Sequence, residues 1–152
     1  MIKEGERAPA VTIKTVRGDE IRADRPGMPL VVYFYPRDDT PGCTTEAKDF
    51  TEHLASFEEA GVRVVGVSRD SEEKHRRFID KHDLSVPLAS DEKGKISDAF
   101  GTWDLKKFMG REFMGMIRST FLIDREGKVV RAWPKVRVKG HVEEVLEAAR
   151  SL

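Results

Sequence analysis

The sequence predicts an α/β sandwich, a central mixed β-sheet flanked by helices and preceded by an N-terminal β-hairpin. Two β-branched runs, Leu30 to Tyr35 and Val62 to Ser68, are separated by one helix-length amphipathic segment, which requires a parallel pair with a right-handed crossover. A later pair of apolar runs around Arg125-Glu126-Gly127 reads as a hairpin, so part of the sheet must be antiparallel. The 152 residues, 39% of them hydrophobic, suffice for one domain over positions 1 to 152 with a core that needs no metal or disulfide.

Taken in order, Val11 to Lys14 and Glu20 to Arg22 alternate around Arg17-Gly18-Asp19 and predict the opening hairpin. Leu30-Val31-Val32-Tyr33-Phe34-Tyr35 has the unbroken apolar character of a strand covered on both faces. From Cys43 to Ala60, the residues Ala47, Phe50, Leu54 and Phe57 recur at helical spacing and Gly61 supplies the stop. After the second strand, Asp70 with Glu73 resembles a capping box for a helix reaching Lys81. Val86-Pro87-Leu88 fits only a short edge strand, because proline cannot donate to a ladder. A brief helix over 95–100 ends at Gly101, and Val142, Val145, Leu146 and Ala149 mark a final helix. Phe108, Met109, Phe113, Met114 and Met116 form an apolar cluster, read as core or pocket wall, or as a docking or entrance surface.

Twenty-seven basic and 27 acidic residues cancel and are mixed along the chain, which argues against nucleic acid or an anionic membrane as partner. The 36% charged share fits a well-solvated surface, or thermal adaptation through ion pairs. The opening residues lack a signal-like apolar stretch and the longest apolar run is too short to span a bilayer, so the expected location is cytoplasmic. His53, His75, His82 and His141 are scattered without metal-ligand spacing, and neither a metal nor another cofactor is expected.

Chemistry concentrates on the single cysteine, Cys43, which sits in Pro36-Arg37-Asp38-Asp39-Thr40-Pro41-Gly42-Cys43-Thr44-Thr45-Glu46 between a strand and a helix. A helix N-terminus carries about half a positive charge and unpaired N–H groups, which favour thiolate over thiol. Thr40 can aim its hydroxyl at the sulfur or at a polar substrate atom, and Gly42 permits close backbone approach. Pro36 and Pro41 stiffen the loop. Asp38, Asp39 and Glu46 would oppose a thiolate if they pointed inward, so a compensating cation is expected. Arg118 is the candidate: if Thr120 to Asp124 runs antiparallel to the strand ending at Tyr35, Arg118 falls at the same sheet edge as Cys43. Ionisation alone is insufficient for a fast enzyme. A thiol of ordinary acidity is already roughly 3% thiolate at pH 7, so full ionisation adds only about 30-fold. Donors aimed at charge developing on a substrate add about 100- to 1000-fold each. An inert buried thiol, a Cys/His hydrolase with one of the four histidines as base, and a non-catalytic binding module are the other readings these residues allow.

Pro36-x-x-x-Thr40-x-x-Cys43 after Tyr33-Phe34-Tyr35, followed by Thr44-x-Glu46, resembles the active-site motif of peroxiredoxins. Thr40 to Thr44 and the stretch Met114 to Asp124 resemble the bacterioferritin-comigratory-protein or Q subgroup in particular. The resemblance covers nearly the whole chain and implies a thioredoxin-like fold and a thiol peroxidase. It further implies that Cys43 becomes a sulfenic acid, that Thr40 and Arg118 bind and polarise the peroxide, that Pro36 shields the pocket, and that Glu46 orients Arg118. The implied substrates are hydrogen peroxide and organic hydroperoxides. Many members of the subgroup carry a resolving cysteine five residues after the first, where this chain has Lys48. Five residues turn a helical side chain roughly 140° away, so such members must unwind the helix to close the bridge. With no second cysteine, this chain is read as a one-cysteine type reduced by an external thiol such as thioredoxin, glutaredoxin or a small thiol, and as a monomer or weak dimer.

Overall fold

In the computed structural model, which describes residues 1–152, strand β3 (Leu30–Phe34) has every residue buried. It is the middle strand of a five-stranded mixed sheet. β4 (Arg63–Ser68) pairs parallel with β3, and β5 (Leu88–Ser90) pairs parallel with β4 at the edge. β8 (Ser119–Ile123) runs antiparallel to β3, and β9 (Val129–Trp133) antiparallel to β8. The mixed sheet and its parallel β3–β4 pair are those the sequence predicts. The opening hairpin is present as β1 (Thr12–Lys14) and β2 (Glu20–Arg22).

Alternation along β3 divides the core in two. Val31, Tyr33 and Tyr35 face helices α1 (Pro41–Glu59), α2 (Glu72–His82) and α4 (His141–Arg150), joining Phe50, Phe57, Phe78 and Val145 in one cluster. Leu30, Val32 and Phe34 face the other way, with Phe121 and with Phe100 of α3 (Lys95–Phe100). Each fully buried side chain of this size contributes about 1.5–3 kcal/mol, so the doubly covered strand is a rigid base for the loop that follows it. Tyr33 stacks on Phe50 at 4.3 Å between centroids and lies across Gly66 of β4, where a Cβ would collide with its ring.

Two sequence expectations are corrected. The N-cap of α2 is Ser71, whose hydroxyl accepts from the Lys74 amide, and not Asp70. Asp70 accepts instead from the Ser68 hydroxyl and the Asp38 amide and pairs with Lys74, uses for a carboxylate that no local pattern reveals. The apolar cluster of 108–116 is mostly neither core nor pocket wall: it belongs to a separate two-stranded ribbon, β6 (Trp103–Phe108) and β7 (Arg111–Met116). Phe108, Met109, Phe113 and Met114 are exposed, and only Met116 is buried. The ribbon's turn has positive φ at both Met109 (50°) and Gly110 (79°), the backbone of a tight primed hairpin turn.

Candidate active site

Helix α1 begins at Pro41, two residues earlier than its apolar pattern indicates, because proline is favoured at a first helical position where no N–H is needed. Cys43 therefore lies third in the helix, in the first turn, where backbone N–H groups have no intrahelical acceptor. Its side chain points inward and the residue is 1% exposed. Thr40 is the N-cap, with extended backbone, and its carbonyl accepts the Thr44 amide at 2.8 Å.

Arg118 comes from the turn between β7 and β8. Because Phe34 is opposite Ser119 in the antiparallel register, Arg118 falls beside the carboxyl end of β3, where the topology argument puts it. One guanidinium nitrogen, Nη2, donates to Cys43 Sγ at 3.3 Å, and the other, Nη1, donates to Glu46 Oε1 at 2.8 Å. Cys43 and Glu46 are one helical turn apart, so a single arginine spans both. Gly42 is what allows this approach: a Cβ there would sit 3.1 Å from Arg118 Nη2. Burial works against the charge of Arg118, but Glu46 and Cys43 more than offset it, and the guanidinium is held more firmly protonated than usual.

Glu46 is wholly buried and only one of its oxygens is matched; Oε2 has no hydrogen-bond partner. Burial raises its carboxyl to about 7 even though Arg118 pulls the other way. The hydroxyl of Tyr33 is also buried without a partner, and burial, then Glu46 and Cys43, push its ionisation well above the ordinary range. His141, at the start of α4, faces Thr120 Oγ1 across 2.8 Å and Trp133 edge-on. Burial and then Arg118 depress it to about 4, so it is a neutral imidazole at physiological pH. Lys106 of the ribbon reaches the Met116 carbonyl at 3.0 Å; burial, then Arg118, lower it, while Cys43 raises it.

The remaining motif residues are placed as follows. The Thr40 hydroxyl does not point at the sulfur; it donates to the Arg37 carbonyl at 2.8 Å, which leaves its oxygen free to accept. Pro36 is half-buried at the end of β3. Lys48 is exposed on α1. Of the acidic residues expected to trouble a thiolate, Asp38 and Asp39 turn away toward α2, and only Glu46 turns inward, where Arg118 meets it. Sequence reasoning passed over Asp38 as a partner of His75: their side chains meet at 2.6 Å although the residues are 37 positions apart.

A cysteine in the first turn of a helix, beside an arginine and at the carboxyl end of a central strand, stands where open α/β sheets gather their ligands and where a cation can support thiol chemistry. Residues 5–132 match the AhpC/TSA family, and the chain belongs to it, as a peroxiredoxin of the Bcp or Q type. Peroxiredoxin Bcp of Bacillus subtilis is 46% identical over 152 residues, covering 99% of this chain and 97% of that protein. Peroxiredoxin Bcp of Xanthomonas campestris is 47% identical over 122 residues, covering 80% and 76% respectively. Among solved structures, the bacterioferritin comigratory protein of Xanthomonas campestris, described for its alkyl peroxide reduction activity from trapped intermediate and ligand complexes, superposes with a TM-score of 0.87. It has 39% identity and 98% of each chain covered. Peroxidoxin BcpB of Mycobacterium tuberculosis superposes with a TM-score of 0.84 at 28% identity, covering 100% of this chain and 99% of that one. The fold is the thioredoxin-like fold of these proteins, and the chain is a thiol peroxidase.

Proposed function

We propose that Cys43 is the peroxidatic nucleophile and that it reduces hydrogen peroxide and small organic hydroperoxides. The observation that carries this reading is the single guanidinium shared between Cys43 Sγ and Glu46. Arg118 is a fixed cation that stabilises thiolate before the reaction and offers forked donors to the peroxide during it. The thiolate attacks one peroxide oxygen along the O–O axis. The S–O bond forms as the O–O bond breaks, and the departing oxygen takes a proton to leave as water or alcohol. Sulfur loses two electrons and becomes a sulfenic acid.

Thr40 supplies the complementary contact. Its proton is committed to the Arg37 carbonyl, so its oxygen can only accept, which suits the O–H of a hydroperoxide. Gly42 keeps space for Arg118, Glu46 orients it, and Pro36 shields the sulfur side of the loop. Reduction uses an external thiol, since Cys43 is the only cysteine. One equivalent condenses with the sulfenic acid, releasing water and leaving a mixed disulfide, and a second displaces Cys43 as thiolate. Thioredoxin, glutaredoxin and a small thiol are the candidate reductants, in a cytoplasmic setting and a monomeric or weakly dimeric protein. No helix is long and apolar enough to cross a membrane.

The test is a peroxide turnover assay repeated with each reductant, alongside mass spectrometry after stoichiometric peroxide. Cys43 is expected to gain one oxygen and to resist acylation by ester substrates. Acylation without oxidation would reverse the reading in favour of a cysteine hydrolase.

A further inference from the structure

The loop that delivers Cys43 is anchored against α2 and β5 by a buried polar cluster. Asp38 Oδ1 accepts from the Tyr35 hydroxyl at 2.6 Å, and Asp38 Oδ2 lies 2.6 Å from His75 Nδ1. The other ring nitrogen, His75 Nε2, lies 3.0 Å from the Ala89 carbonyl of β5, and the Asp38 amide donates to Asp70 at 2.9 Å. The side chains of His75 and Asp38 are 0% and 2% exposed. Both ring nitrogens face acceptors, so Nε2 can donate to Ala89 while Nδ1 and Asp38 Oδ2 share a hydrogen bond. Every polar atom of the two side chains is then satisfied.

Replacing a buried ionic pair by apolar packing is often neutral or stabilising, so such a pair is weak evidence for stability alone. Its location suggests another use. Six residues, 35–40, join β3 to α1, with Pro36 inside and Pro41 directly after, so little slack separates Asp38 from Thr40 and the first helical turn. Asp39, next to the anchor, has a φ of 60° and pairs outward with Lys81 and His82 of the same helix. The whole loop is thereby referred to α2, whereas Arg118 is referred to β8. The 3.3 Å contact between Arg118 and Cys43 depends on both.

The geometry points to Asp38 and His75 as positioning residues for the peroxide reaction, holding Thr40 and Cys43 in register with Arg118 through the bond between His75 Nδ1 and Asp38. This rests on the peroxidase reading. Two substitutions separate that bond from simple filling of space: in His75→Asn the amide nitrogen falls near the place of Nδ1 and can still donate to Asp38, whereas in His75→Gln it falls near the place of Nε2 and reaches Ala89 instead.

The experiment measures the oxidation rate of Cys43 by hydrogen peroxide in the full-length protein and both variants, with alkylation by iodoacetamide as the control reagent. H75Q is expected to lose about 10-fold or more in the peroxide rate and under 3-fold in alkylation, and H75N to run at least five-fold faster than H75Q with peroxide. Equal peroxide rates in the two variants, the reverse order, or equal losses toward both reagents would overturn the proposal. If either variant does not fold, Asp38→Asn against Asp38→Ala carries the same comparison from the loop side, with Asn expected to be at least five-fold faster and equality decisive against. Slow oxidation of the unsubstituted protein would instead count against the peroxidase reading itself.

Discussion

Two buried carboxylates flank the reactive loop, Glu46 on the side of Arg118 and Asp38 on the side of α2, and they are satisfied to very different degrees. Asp38 has a partner on each oxygen and a third bond through its amide. Glu46 has Arg118 on one oxygen and nothing on the other, and its carboxyl is raised to about 7. A fully matched polar network fixes geometry; a partly matched one stores an electrostatic imbalance, and here that imbalance sits one helical turn from the sulfur. In the proposed reading, Glu46 holds the orientation of Arg118 and Asp38 holds the loop that carries the arginine's target, Cys43.

Breaking the Glu46 side at its centre has the largest expected effect. Arg118→Ala removes both the cation beside the thiolate and the donor to the peroxide, and is expected to slow Cys43 oxidation by about 100- to 1000-fold, more than the roughly 30-fold that loss of ionisation alone explains. Stopped-flow fluorescence with hydrogen peroxide measures this, and an unchanged rate would remove Arg118 from the site. Gly42→Ala presses a Cβ against Arg118 Nη2, and a loss of about 10-fold in the same assay is expected without change in the far-ultraviolet spectrum.

The unmatched carboxylate also makes a claim about pH. Glu46 titrates at about 7 in the folded state, against 4.5 without the fold, so between these values the folded protein holds more protons than the unfolded one. Stability contributed by the protonated form is present below 4.5 and is lost as pH rises toward 7, by up to about 3 kcal/mol. Urea titrations of Glu46→Gln should show a flatter pH dependence over that window; an unaltered slope would contradict the buried titration. His141 gives the opposite sign. Held at about 4 against 6.5, it favours the folded state above 6.5 and removes that stability as pH falls toward 4, so His141→Gln should reduce acid sensitivity in the same titrations. The smallest effect is expected on the exposed outer pair of the loop: Asp39→Asn loses bonds to Lys81 and His82, which solvent screens, and should shift the urea midpoint least of all these variants.

Much of this arrangement is legible in the sequence because it is carried by local signals joined through topology. The apolar run ending at Tyr35, a helix beginning at about Cys43 and the pairing of β8 with β3 are enough to place Arg118 beside Cys43. The Thr40 hydroxyl is placed less well, since a short hydroxyl at a loop end chooses among nearby carbonyls and takes that of Arg37. His75 is invisible as a partner of the loop because its burial on α2 depends on hydrogen bonds with Asp38 and Ala89, brought close only by the finished fold. The ribbon of β6 and β7 escapes for another reason. Its turn uses Met109-Gly110 in place of the usual Asn-Gly or Asp-Gly, and its apolar side chains, which suggest burial, stand in solvent. The glycine after Met109, between two short segments that carry aromatic residues, is the signal that could have identified it.

In the proposed mechanism, Arg118, Thr40 and the first turn of α1 together make Cys43 a peroxide-selective nucleophile. The most direct measurement is the second-order rate constant for oxidation of Cys43 by hydrogen peroxide at pH 7, set beside that of a free, fully ionised thiolate. Oxidation at least about 100-fold faster than the free thiolate is predicted, the contribution of one well-placed donor to the developing charge. A rate no greater than that of the free thiolate would mean that these groups give Cys43 no catalytic advantage toward peroxide.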